Sequence, residues 1–300
     1  MMLGNLKNLY PHMEELGIRL QNSPAYTLND MLKTLYHEGT RMKCRNILRK
    51  NASLKNIYSE KDRCFIVGNG PSLEKQDLSF LANEHVFVVN WFYKHESFHK
   101  ISPEYYSFID QYALTDYKYG LYSRYSEWWR QLNKALEKSS RTKLFLSLNN
   151  VDSVVKHHLF KNTDVYYLLP SLDMNKYGIR KVDLCGRIPS GISVIIASML
   201  IAYYVGFRNM ILIGCDCSWA AFPVTKKEHF YSEDYHGRVG TFGRVETFEY
   251  EKILSCTLDD VRGYRVVKNF LVPRGCKIYN ATHGGFLDIF PRVEYEQLFK

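Results

Sequence analysis

The stretch Cys64-Phe65-Ile66-Val67-Gly68-Asn69-Gly70-Pro71-Ser72-Leu73 decides the fold. Residues 64–67 are a short apolar run, which reads as a strand buried on both faces. Gly68 and Gly70 break it at points where the backbone turns and a ligand can lie against the main chain. Pro71 fixes its own φ, and Ser72 suits the cap of a helix that follows. A strand, a glycine turn and a helix start together make a corner whose N–H groups and dipole face an anion. The dinucleotide fingerprint GxGxxG is excluded, because its third glycine would stand at Leu73. A P-loop is excluded as well, because no Gly-Lys-Ser/Thr follows. A bare GxG also suits an ordinary turn, so the corner takes its meaning from what the chain sets beside it.

Working outward, further strands are expected at 86–90, 105–109, 144–148, 165–169, 210–214 and 276–279. Helices are expected at 121–138, 192–202 and 258–271, with Pro189, Ser190 and Gly191 reading as the start of the second and Gly206 as its stop. This alternation predicts an α/β fold: a Rossmann-like, mostly parallel sheet with helices on both faces, forming a single nucleotide-binding domain over 61–300. In such sheets ligands sit outside the carboxyl ends of the strands. Asn69, Asn90 and Asp110 stand at such ends, and Asp216 lies just past another. Residues 217–250 carry few regular signals but many polar and aromatic side chains, the composition of a lid. Residues 1–60 read as a helical, basic extension, with Lys33, Arg41, Lys43, Arg45, Arg49, Lys50 and Lys55. It packs on the main domain or a neighbouring subunit of a homo-oligomer, or it makes a peripheral contact with an anionic membrane.

Lys and Arg number 40 against 31 Asp and Glu, a formal net charge of +9 spread thinly along the 300 residues. No nucleic-acid motif accompanies it, so the excess points to anionic substrates or surfaces rather than to DNA or RNA. Seven cysteines fall at irregular spacing, and Cys215-Asp216-Cys217 lacks the second pair a zinc site needs. They read as reduced, mostly buried thiols of a cytoplasmic protein. No apolar leader opens the chain, and the longest apolar stretch, 192–205, is too short to span a bilayer. The expected location is the cytoplasm, with the inner face of the plasma membrane as a peripheral alternative.

The ordered series GNGPSL at 68–73, NWFY at 90–93, RIPSG at 187–191 and GCD at 214–216 resembles the bacterial sialyltransferases of glycosyltransferase family 42. Those enzymes act in Campylobacter and Haemophilus lipooligosaccharide synthesis. HFYSEDY at 229–235 and IYNATHGGFLDIFPR at 278–292 resemble a broader group, the domain of unknown function 115 proteins, which includes flagellin-modifying transferases and an archaeal 6-hydroxymethylpterin pyrophosphokinase. The resemblance implies a variant of the GT-A fold. It implies transfer of sialic acid or a related nonulosonate from a CMP-activated donor to a surface glycan or glycolipid, as in lipopolysaccharide or capsule synthesis. The transfer would be inverting and metal-independent, with no cofactor.

Carried over position by position, the resemblance places Gly68, Asn69, Gly70, Pro71 and Ser72 at the phosphate corner. Asn90 and Ser190 would hydrogen-bond the cytidine or its phosphate, Gly191 would let a helix end approach, and Asp110, Asp216 and Ser218 would border the nucleotide. Arg187 would face the donor pocket, or form a structural salt bridge. The acceptor hydroxyl needs a base titrating near neutrality, which favours histidine; His229 and His236 are both candidates. Tyr231 and Tyr235 would support the leaving phosphate, because Cys217-Ser218-Trp219 stands where the sialyltransferases carry an aromatic pair. His283, in the Asn-Ala-Thr-His-Gly-Gly turn, reads as a structural or exposed side chain, with contact to the nucleotide as the alternative. Asp110 departs from the sialyltransferase pattern toward the pyrophosphokinase-like group. The alternative is therefore a Mg2+-dependent diphosphotransferase with Asp110 and Asp216 as ligands, and a third reading is a non-catalytic nucleotide-binding domain.

Overall fold

The computed structural model describes residues 24–109, 122–139, 141–190, 193–221, 230 and 250–300. Among them the helices are α1 (Pro24–Lys43), α2 (Arg45–Arg49), α3 (Phe98–Ile101), α4 (Tyr122–Glu137), α5 (Val151–Lys156), α6 (Met174–Tyr177), α7 (Val194–Val205) and α8 (Tyr250–Leu271). The strands are β1 (Arg63–Val67), β2 (His85–Val89), β3 (Tyr105–Phe108), β4 (Lys143–Ser147), β5 (Asp164–Asp173), β6 (Arg187–Ser190), β7 (Asn209–Ile213) and β8 (Lys277–Asn280).

All eight lie in one sheet ordered β6-β5-β4-β3-β2-β1-β7-β8, and every pairing is parallel. The expected α/β Rossmann-like architecture is thus the observed one. The chain lays strands outward from β1 to β6, then crosses back and places β7 on the other side of β1. The order reverses between β1 and β7, and that is where a doubly wound sheet opens to a ligand.

The pleat of β1 shows how the core is divided. Cys64 and Ile66 join the apolar layer that holds α7 and α8, with Met199, Leu200 and Tyr264. Phe65 and Val67 join the opposite layer, with Trp91, Trp129 and Tyr106. Successive side chains alternate across a strand, so a run of four apolar residues serves both layers. α7 is apolar on nearly all sides because it lies between the sheet and α8; Met199, Leu200, Ile201 and Ala202 are fully buried. It stops at Gly206, whose φ of +125° and tight approach to the Tyr58 carbonyl exclude a side chain.

Two local expectations are corrected. Residues 187–190 are the outer strand β6, not the start of the apolar helix; Ser193 caps α7 by accepting from the Ile195 N–H at 3.3 Å. Residues 71–75 form one 3-10 turn rather than an α-helix, and the Ser72 side chain caps nothing there. The described part of the N-terminal extension packs on the main body. Leu48 is buried with Leu148 and Leu169. Asn51 Nδ2 donates to the carbonyls of Tyr167 and Leu184 at 2.8 and 2.6 Å. None of the seven cysteines is in a disulfide, and no helix among the described residues is long and apolar enough to cross a membrane.

Candidate functional site

Of the polar residues flagged at the strand ends, Asn69, Asn90 and Asp216 lie at the carboxyl edge, beside the reversal between β1 and β7. Gly68 N–H donates to the Ile213 carbonyl at 2.8 Å and Gly70 N–H to the Gly214 carbonyl at 2.9 Å. These two donors extend the β1–β7 ladder, so neither is available to a phosphate, contrary to the expectation for this corner. The glycines are needed for another reason. A Cβ at Gly68 would lie 2.2 Å from the Gly214 oxygen, and one at Gly70 would lie 1.7 Å from Asp216 Oδ2. Both distances are far below contact, so the corner closes on Asp216 only without side chains.

Asp216 is the centre of the arrangement and is 9% exposed. Ser72 grips it twice: Oγ donates to Oδ2 at 2.7 Å and the main-chain N–H donates to Oδ1 at 3.2 Å. Burial pushes its carboxyl above the ordinary aspartate range, while the Ser72 bonds and the charge of Arg292 pull the other way. Behind it, the Phe286 N–H donates to the Asp216 carbonyl at 2.7 Å, and Gly285, at φ +77°, fits against the Asp216 backbone. Arg292 shapes this turn by donating to the carbonyls of Thr282, Gly284, Gly285 and Leu287. Thr282 Oγ1 accepts from the Cys215 N–H at 3.0 Å. The segment 278–292, quoted above for its sequence, is therefore the wall that seats Asp216. His283 is exposed on it.

Asn69 is buried, and its Nδ2 donates to the Val89 carbonyl at 3.1 Å, tying the end of β1 to that of β2. Because Val89 offers a carbonyl, the amide orientation is fixed, and Oδ1 is left without a partner. One residue beyond Val89, Asn90 has φ +48°, and its carbonyl accepts from Tyr106 Oη. Ser218 is buried two residues after Asp216.

Other expected residues are placed apart or lie outside the described residues. Ser190 ends β6 at the same edge, but five strands separate β6 from β7. Arg187, at the start of β6, pairs with Glu38 of α1 at 3.5 Å, which makes the salt-bridge reading the observed one for that contact. Asp110, Gly191, His229, Tyr231, Tyr235 and His236 lie outside the described residues. Between them, Phe230 N–H donates to the Asn69 carbonyl at 3.1 Å.

One residue of interest went unread in the sequence. Asp260, on α8, is 5% exposed and accepts from the Ser193 N–H at the start of α7. Its Oδ1 has no partner. Burial, reinforced by the neighbouring Asp259 charge, lifts its carboxyl to about 7. Cys217 and Tyr264 feel the same charge, and Tyr264 Oη lies 3.2 Å from Ser193 Oγ. A signal was present: Asp260, Tyr264, Val267 and Leu271 share the buried stripe of α8 at helical spacing.

Among solved structures, the Maf glycosyltransferase from Magnetospirillum magneticum AMB-1 aligns with 92% of this chain at 17% identity and a TM-score of 0.48. This chain spans only 43% of that protein's length. The sialyltransferase CstII from Campylobacter jejuni, solved with the substrate analogue cytidine-5'-monophosphate, aligns with 79% of this chain and 86% of its own, at 15% identity and a TM-score of 0.44. No curated protein sequence matches the chain. The model of the 6-hydroxymethylpterin diphosphokinase MptE-like family matches residues 40–221, which span every element from the end of α1 through Asp216. That match covers more than half of the sequence, and the chain therefore belongs to the 6-hydroxymethylpterin diphosphokinase MptE-like family.

Proposed function

We propose that this protein is a glycosyltransferase that takes a sugar of the sialic acid class from a CMP-activated donor and passes it to a glycan or glycolipid hydroxyl. The observation that carries the reading is the meeting of the GNGPSL and GCD segments at the strand-order reversal, with Asp216 held between Ser72 and the Gly285 turn. Asn69 Oδ1, a buried acceptor without a partner, suits a donor group on the nucleotide. Asp216 works as a scaffold: both oxygens already accept from Ser72, and burial disfavours the ionised carboxylate that a metal ligand must be. This supports a reaction without a metal ion. The acceptor hydroxyl attacks the anomeric carbon, its proton passes to His229 or His236, and CMP departs. Tyr231 and Tyr235 are the groups for the leaving phosphate.

A second reading has one specific observation behind it. The matching family is described as 6-hydroxymethylpterin diphosphokinase-like, which suits Mg2+-dependent diphosphotransfer with Asp110 and Asp216 as metal ligands. Incubation with a CMP-activated nonulosonate or with ATP, each with and without a chelator, separates the two. CMP release that survives chelation, and that is lost in His229→Ala or His236→Ala, supports the transferase. AMP release from ATP that chelation abolishes supports the diphosphotransferase.

A further inference from the structure

The ends of β6 and β7 have five strands between them in the sheet, yet α8 touches the segments that follow both. Asp260 accepts from the N–H of Ser193, the residue that caps α7. One turn on, Tyr264 Oη lies 3.2 Å from Ser193 Oγ, which itself accepts from the Ile195 N–H. Gly263, between them in the chain, lets the two helices close: a Cβ there would stand 2.8 Å from Ile196 Cδ1. Two polar side chains on one face of α8 thus hold the start of α7.

The same helix reaches the Asp216 corner. The Asp260 charge acts on Cys217, the neighbour of Asp216. Tyr264 shares a core layer with Cys215 and meets the Phe290 ring edge-on, with 6.2 Å between centroids. Phe290 belongs to the wall 278–292 that seats Asp216, and Lys268 Nζ donates to the Ile289 carbonyl of that wall at 2.5 Å. At the first turn of α8, Tyr250 Oη donates to the Ala220 carbonyl at 3.1 Å. One helix therefore braces both the start of α7 and the surroundings of Asp216.

Packing alone does not require Asp260. It stands in the buried stripe with Tyr264, Val267 and Leu271, where an apolar side chain is buried favourably and a carboxyl at a penalty. What the carboxyl adds is an acceptor for the Ser193 N–H, a donor that the helix it opens cannot satisfy.

We propose that Asp260 and Tyr264 are positioning residues: they fix the start of α7, and with it Ser190 at the end of β6, against the Asp216 corner, so that both segments act on one nucleotide. The effect on the nucleotide rests on the transferase reading, whereas the brace does not. Hydrogen exchange followed by mass spectrometry tests the brace without a ligand. In Asp260→Ala the amides of the first turn of α7 and of residues 215–219 should both exchange about tenfold faster, while those of α4 exchange as in the wild type. Calorimetry with CMP tests the consequence. Asp260→Ala should bind CMP about tenfold more weakly, and Asp260→Asn, which keeps an oxygen for the Ser193 N–H, should stay within about twofold of the wild type. A residue that served stability alone would lower Tm in Asp260→Ala and leave the CMP affinity of the folded chain unchanged. That result, unchanged exchange at residues 215–219, or Asp260→Asn binding as weakly as Asp260→Ala would overturn the proposal. If Asp260→Ala does not fold, Tyr264→Phe, which removes one hydroxyl, carries the same test: faster exchange in both segments with weaker CMP binding supports the brace, and neither change overturns it. Failure of the wild type to bind CMP, with the exchange responses as expected, would count against the transferase reading alone.

Discussion

The two edges of the same sheet are built on opposite plans. At the amino edge, charges are paired across neighbouring strands. Arg63 meets Glu84, Lys50 meets Asp164, and Glu104 takes Tyr58, His85 and Lys143 together. Aromatic rings close over this edge, with Tyr58 stacked on Phe207 at 4.3 Å. At the carboxyl edge, polar groups are buried but left partly unsatisfied: Asn69 Oδ1 and Asp260 Oδ1 have no partner, and the Asp216 carboxyl is lifted by burial. Unsatisfied buried groups cost stability, and at this edge Asn69 Oδ1 stands directly beside the Asp216 corner. One end of the sheet is closed by paired charges, and the other is the edge at which the nucleotide is proposed to bind.

Substitutions can break this contrast. The largest effect is expected from Gly70→Ala. The new methyl group would meet Asp216 and the Gly214 carbonyl, both fixed by hydrogen bonds, so destabilisation of about 3 kcal/mol or more is expected. A fall in Tm with loss of nucleotide response is the measurable result; an unchanged Tm would mean that the corner is not closed on Asp216. Next comes Glu104→Gln at the opposite edge. It leaves His85 and Lys143 without their anion and should cost about 1–3 kcal/mol in urea unfolding. Its response to nucleotide should match that of the wild type, and a lost response would erase the distinction between the edges.

A smaller effect, but a directional one, concerns pH. The Asp260 carboxyl is lifted to about 7 in the folded chain, against an ordinary aspartate value of about 3.9 when unfolded. The folded state thus holds a proton that the unfolded state has released. The stability this group contributes is complete below about pH 4 and is lost as pH rises through about 7. Asp260→Asn, a neutral isostere, should match the wild type near pH 4 and exceed it in Tm at pH 8. A difference that stays constant across that range would mean that Asp260 is ionised throughout.

The sheet was readable because its strands are buried on both faces. Four- and five-residue apolar runs such as 64–67 and 210–214 have no other stable place in a chain of this size. β6 escaped because Arg187, Pro189 and Ser190 break the apolar pattern; an outer strand with one neighbour tolerates them. At the site, position was readable and bonding was not. The strand ends marked Asn69, Asn90 and Asp216, but nothing in the residues indicated that Gly68 and Gly70 spend their N–H groups on β7. That depends on which strand lies beside β1, a long-range fact. Asp260 was hidden by its neighbour, since Asp259-Asp260 on a helix reads as a solvated pair until the buried stripe through Tyr264 is traced.

The most direct test is a thermal shift with CMP in the absence of metal ions, run on the wild type, Glu104→Gln and Asp216→Ala side by side. A ligand bound to the folded state raises Tm by mass action. A rise of equal size is expected in the wild type and in Glu104→Gln, and none in Asp216→Ala. An equal rise in all three, or none in the wild type, would contradict the assignment of the carboxyl edge as the nucleotide site.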